Sequence, residues 1–245
     1  MENGAAGVSE QAWQAERGRL AQFLEEMLAG LGRKERRRWG AVYVRGLLAT
    51  SERKTAAGIA TQLPDGEVQG LQQFVGQSPW AWGPVREQLA QRLTRELRPV
   101  AAWIVDDTGF PKKGTHSVGV ARQYSGTLGK VGNCQVAVSL HYATDDAAIP
   151  LDFQLYSPEE WFSEERRREA QIPDDVTFKT KGDIALDLID QALTWEIRSG
   201  VVAADAGYGN RARVPAGSGR AQAPVRRRHR RPDRALVERG LAGSG

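Results

Sequence analysis

The chain has 245 residues, 40% of them hydrophobic, enough for one large domain or two smaller ones. Cys134 is its single cysteine and its three histidines (His116, His141, His229) are scattered, which excludes a disulfide framework and a Cys- or His-built zinc site; a metal here would rest on carboxylates, favouring Mg²⁺ or Mn²⁺. The net charge of +4 is unevenly spread: residues 211–245 hold ten arginines against Asp233 and Glu238, leaving a body at −4 that is a weak bulk attractor for nucleic acid. No run of about 18 apolar residues and no signal-type start are present, so no membrane span and a reducing, cytoplasmic setting are expected.

Taken in order, residues 1–8 are small and polar. From Ser9 to Leu31 the residues Trp13, Leu20, Phe23, Leu24, Met27, Leu28 and Leu31 recur every three or four positions. That spacing predicts an amphipathic helix with Ser9 as its N-cap. A second helix is predicted over Lys34–Leu48, opening in the cluster Arg33, Lys34, Arg36, Arg37 and Arg38. A third covers Lys54–Gln62 and a fourth Val68–Gly76. The fifth has Pro84 in its first turn and runs to Leu97. Residues 1–98 are therefore a helical region, and two readings of it stay open. One is a helix-turn-helix-like DNA-binding region with Arg36, Arg37 and Lys54 as contacts. The other is a helical bundle with a solvated basic face.

After Pro99 the texture changes. Strands are predicted over Val100–Val105, Ser117–Ala121, Asn133–Tyr142 and Ile149–Tyr156, with glycine turns between them, as an antiparallel meander. Pro150 places the last at its start or at a sheet edge. Helices follow over Pro158–Ala170 and Lys181–Ile197, then a strand over Val201–Asp205. The class is α/β.

The stretch Trp103–Gly114 carries the chemistry. An apolar run ends in Asp106 and Asp107, and Thr108, Gly109 and Pro111 signal a turn before Lys112 and Lys113. Turn residues alone would account for it. Val201–Asp205 repeats the same grammar, an apolar run closed by an aspartate and a glycine turn. Carboxylates at the ends of neighbouring strands make a divalent-cation site. A third acid would complete a two-metal arrangement for phosphodiester chemistry.

Longer strings make the assignment specific. DDTGFPKKG (106–114), HSVGVARQYSGTLGKVGNCQVAVSLHYA (116–143), PEEWF (158–162), FKTK (178–181) and VVAADAGYGN (201–210) resemble the DDE transposases of the insertion-sequence 701 family. With YVRGLL (43–48), ERKT (52–55) and QQFVGQSPWAW (72–82), the resemblance covers about residues 10–210. It implies a ribonuclease-H-like catalytic domain, here partial and over 99–210, with a mixed sheet flanked by helices. It also implies cleavage and strand transfer of double-stranded DNA at element ends and targets, by a homo-oligomer using Mg²⁺ or Mn²⁺. The first acid maps to Asp106–Asp107, with Asp107 preferred because Thr108 follows it, and the second to Asp205. Lys112, Lys113, Arg122 and Lys130 become phosphate contacts.

One departure stands out. The glutamate that the family places on a helix after its second aspartate has no counterpart. Residues 211–245 are rich in Arg, Ala, Gly and Pro without apolar periodicity, as in a frame-shifted reading of a GC-rich gene, and are expected to be a disordered tail. Glu238 is not accepted as the third acid. The expectation is a transposase remnant defective in catalysis, the alternative a non-catalytic DNA-binding remnant occupying element ends. A haloacid-dehalogenase-type phosphatase would need Asp-x-Asp-x-Thr, and here the aspartates are adjacent. A reading frame whose product is degraded for want of a complete core is the remaining rival.

Overall fold

The computed structural model describes residues 9–49, 53–97, 99–205, 208 and 226–228. The chain forms two compact units, Met1–Arg92 and Leu93–Gly245.

The first unit is helical. α1 (Glu10–Leu28) is capped by Ser9, whose hydroxyl accepts from the Ala12 N–H at 3.3 Å. It tightens into a 3₁₀ turn over Ala29–Leu31 and stops at Gly32, whose φ of 76° suits only glycine without strain. α2 (Lys34–Leu48), α3 (Ala56–Gln62), α4 (Val68–Gly76) and α5 (Gly83–Glu96) follow. Leu24, Leu28, Leu31 and Phe74 form one buried cluster, and Val42, Ile59 and Leu71 another. Full burial of each such side chain is worth roughly 1.5–3 kcal/mol. Close approach explains two helical glycines. A Cβ on Gly46 would lie 2.1 Å from Ile59 Cγ2, and one on Gly70 2.1 Å from Trp39 Cζ2.

The second unit is built on a mixed sheet of β1 (Ala102–Pro111), β2 (Ala121–Ser125), β3 (Lys130–Ala143), β4 (Ala148–Tyr156), β5 (Val201–Asp205) and β6 (Arg226–Arg228). The path runs β2-β3-β1-β5-β6, and β4 also pairs with β3. β1 is antiparallel to β3, as are β2 and β4, whereas β5 is parallel to β1 and β6 to β5. This is the expected α/β arrangement: hairpins on one side of β1, a helix-connected strand on the other. α6 (Glu164–Ala170) and α7 (Lys181–Thr194) supply the connection between β4 and β5. Trp103, Val105, Val138 and Leu140 on the sheet and Ile184 and Leu188 on α7 are buried.

Three expectations are corrected. β1 does not end at Val105. It runs through Asp106, Asp107, Thr108 and Gly109 to Pro111, because β3 is long enough to pair with it as far as Cys134. The polar residues thus sit inside a strand and not in a turn. β2 begins at Ala121 instead of Ser117, because Gly119 takes a φ of 79° in a turn before it. The helix expected over Pro158–Ala170 divides into a 3₁₀ turn, Glu159–Phe162, and α6, because Ser163 leaves helical geometry to cap α6. Within 211–245, expected to lack structure, the described part is β6.

Candidate active site

Strand alternation decides where the adjacent aspartates point. Asp107 pairs with Val138, Val105 with Leu140 and Trp103 with Tyr142, so these side chains share a face. It is the face of α7, since Lys181, the first residue of that helix, reaches Asp107. Asp106 pairs with Ser139 and points the other way. It is exposed, its carboxylate accepting from the Asp107 backbone N–H at 2.8 Å. On its face Ser139 Oγ bonds the Asp106 carbonyl at 3.2 Å and lies 2.9 Å from His141 Nε2. Phe153, register partner of Ser139, is 59% exposed, so solvent reaches this side of the sheet.

Asp205 closes β5. The last registered pair between the parallel strands is Val105 with Ala204, and the next residue along each is Asp106 and Asp205. Asp106, Asp107 and Asp205 all line one cavity of about 350 Å³, with Gly109, Ser125, Lys181 and Tyr208. The hairpin of β2 and β3 walls it, tied down by Thr127 Oγ1, which donates to the Gly109 carbonyl at 3.1 Å. Gly109 is required there, because a Cβ would lie 2.2 Å from Ser125 Oγ.

Both oxygens of Asp107 have partners. Lys181 Nζ stands 2.5 Å from its Oδ2, and the Tyr208 hydroxyl donates to its Oδ1. Burial nevertheless holds the Asp107 carboxyl above the usual carboxylate range, outweighing the hydrogen bond and charge of Lys181, and Asp106 and Asp205 push the same way.

The donor set suits a hard divalent cation: carboxylate oxygens on adjoining strands, one of them already carrying an ammonium group. Among the described residues no three acidic, imidazole or thiol groups converge into a cage. The fit is therefore to an ion held by one or two carboxylates and completed by water and substrate oxygens, the habit of Mg²⁺.

The remaining expected residues lie elsewhere. Lys112, Lys113, Arg122 and Lys130 are exposed around the outer end of β1 and the β2–β3 hairpin, and none lines the cavity. In the helical unit Arg37 is exposed and Arg36 partly so, while Lys54 donates to the Ala49 carbonyl and closes the end of α2. Glu238 is outside the described residues. Among the cavity residues without a role in the sequence reading are Lys181 and Tyr208, the partners of Asp107. The strings FKTK and VVAADAGYGN contain them, but nothing in spacing joins them to Asp107.

A family described as DDE superfamily endonuclease matches residues 26–238, extending beyond Asn210, where the resemblance in sequence strings stops. The chain is also 33% identical over 166 residues to the probable transposase for insertion sequence element IS701 of Microchaete diplosiphon. That alignment covers 67% of this chain and 41% of the relative, so the chain spans about two-fifths of its length. No described helix is long and apolar enough to cross a membrane.

Proposed function

The chain belongs to the DDE superfamily of endonucleases, among the transposases of the insertion-sequence 701 type, and on that premise we propose that its second unit is the metal-dependent DNA-cutting part of a transposase. The observation that carries this is the register of β1 and β5, which brings Asp205 level with Asp106 at one cavity. The sequence preference for Asp107 rests on Thr108. The register, and the engagement of both Asp107 oxygens by Lys181 and Tyr208, favour Asp106 with Asp205 as the metal-holding pair.

Bound there, Mg²⁺ or Mn²⁺ would supply Lewis-acid polarisation of a phosphodiester and acidification of the attacking water or 3′-hydroxyl. Asp106 and Asp205 hold and orient. Asp107 ties α7 and the residue Tyr208 to the middle of β1, next to Asp106. Lys112, Lys113, Arg122 and Lys130 offer contacts to the DNA backbone, which positions the duplex without reading its sequence. A homo-oligomer acting on element ends and target DNA follows from the same reading.

Because the glutamate that the family places after its second aspartate has no counterpart in the sequence, cleavage and strand transfer are proposed to be defective. A second reading is favoured by the basic opening of α2, where Arg37 and Arg38 are exposed. In it the helical unit occupies element ends without cutting. The test is Mg²⁺-dependent cleavage of DNA carrying terminal repeats. Binding with cleavage at or near background supports the defective reading. Robust cleavage that Asp205→Ala abolishes overturns the defect and keeps the active-site assignment.

A further inference from the structure

Lys181 occupies an unexpected position. It opens α7 at the positive end of the helix dipole, where acids and not bases are stabilised. Asp183 fills the acidic role, completing a capping box with Thr180. The Lys181 ammonium is instead held from outside the helix. It lies 2.5 Å from Asp107 Oδ2 and 5.4 Å from the centroid of the Tyr156 ring. Tyr208 takes the other oxygen of Asp107. The nearby Lys179 is paired at 2.7 Å with Asp187, so the two lysines of this segment have separate carboxylates.

We propose that Lys181 is a resident counter-cation that withholds Asp107 from the metal and so sets the divalent-cation affinity of the cavity. The inference rests on the reading that Asp106 and Asp205 hold the ion. Asp106, Asp107 and Asp205 line one cavity, and of these Asp107 already has Lys181 on Oδ2 and Tyr208 on Oδ1. With a neutral side chain at 181 the cavity would lose one positive charge, and Asp107 would lose the partner that occupies Oδ2. Attraction for a divalent ion would rise on both counts. Lys181 is thus a positioning residue, acting through Asp107.

The test is calorimetric titration of the whole chain with Mn²⁺. Lys181→Met is expected to bind Mn²⁺ about tenfold more tightly than the unaltered chain, a coupling of the size seen between contacting charged neighbours. Lys181→Arg should match the unaltered chain, and Lys181→Met with Asp107→Asn should return to it. Equal or weaker binding by Lys181→Met, or a gain that survives in the double variant, overturns the proposal. Should Lys181→Met fail to unfold cooperatively, Lys181→Ala takes its place with the same outcomes. Unaltered chain that binds no Mn²⁺, or binding indifferent to Asp106→Asn and Asp205→Asn, defeats the metal-site reading itself. Binding lost in those two variants but unmoved by Lys181→Met defeats only the role of Lys181.

Discussion

Asp205 follows Ala204 on β5, and Asp106 follows that residue's register partner, Val105, on β1. The acid on the parallel strand is therefore level with the first aspartate of the adjacent pair and one step short of the second. Asp107 is turned to the α7 face, where it serves Lys181 and Tyr208. Two neighbouring carboxylates of identical chemistry thus meet different surroundings on opposite faces of the sheet.

The anchoring of Lys181 depends on how α7 begins. Thr180 Oγ1 accepts from the Asp183 N–H at 3.2 Å, and the Asp183 carboxylate accepts from the Thr180 N–H at 3.0 Å. Thr180→Ala should cost about 1 kcal/mol of unfolding free energy, measured by urea denaturation. Asp183→Ala should cost a similar amount. No loss in either would mean that the box does not hold the helix start.

The cavity floor should be intolerant of volume. Gly109→Ala places a methyl 2.2 Å from Ser125 Oγ and 2.9 Å from its Cβ, and Ser125 is 1% exposed. A loss of about 1–3 kcal/mol in urea denaturation is expected. Ser125→Gly in the same chain should restore part of it, because the clash is with that side chain. An unrescued loss would place the strain in the backbone of β1.

Asp107 gives the stability a defined pH dependence. Its pKa in the folded chain is raised above the usual 3.8, chiefly by burial. Below 3.8 folded and unfolded forms both hold the proton, and the group's contribution is complete. As pH climbs the unfolded chain sheds its proton first, and the contribution is lost as pH passes through the raised folded value. The difference in unfolding free energy between the unaltered chain and Asp107→Asn should therefore fall as pH rises from about 4 upward. A difference that grows with pH would mean that Lys181 outweighs burial.

DNA-binding and structural lysines should separate by salt dependence. Lys112→Ala with Lys113→Ala should flatten the slope of log affinity against log salt by about two, near 0.9 for each phosphate no longer neutralised. Lys54→Ala should leave that slope unchanged and lower stability, because Lys54 is engaged with the Ala49 carbonyl. A slope altered only by Lys54→Ala would move the DNA interface to the helical unit.

Much of this architecture is legible where local chemistry and tertiary context agree. The bounds of α2, α4 and β5 match the predicted residues, and Ser9 caps α1 as its hydroxyl and position suggest. The misreadings share a cause. Thr108, Gly109 and Pro111 are turn formers locally, but a partner strand reaching Cys134 keeps them extended. Lys181 has no role in the sequence reading beyond opening a helix, because its partner lies 74 positions earlier. Which face of the sheet each of two adjacent aspartates takes follows from register, and register is set by pairing that one segment cannot display.

The most direct test is Mn²⁺ titration calorimetry on the unaltered chain and on Asp106→Asn, Asp107→Asn and Asp205→Asn. Affinity should fall by about tenfold or more in Asp106→Asn and Asp205→Asn, and by less in Asp107→Asn. Binding abolished by Asp107→Asn and untouched by Asp106→Asn would contradict this assignment.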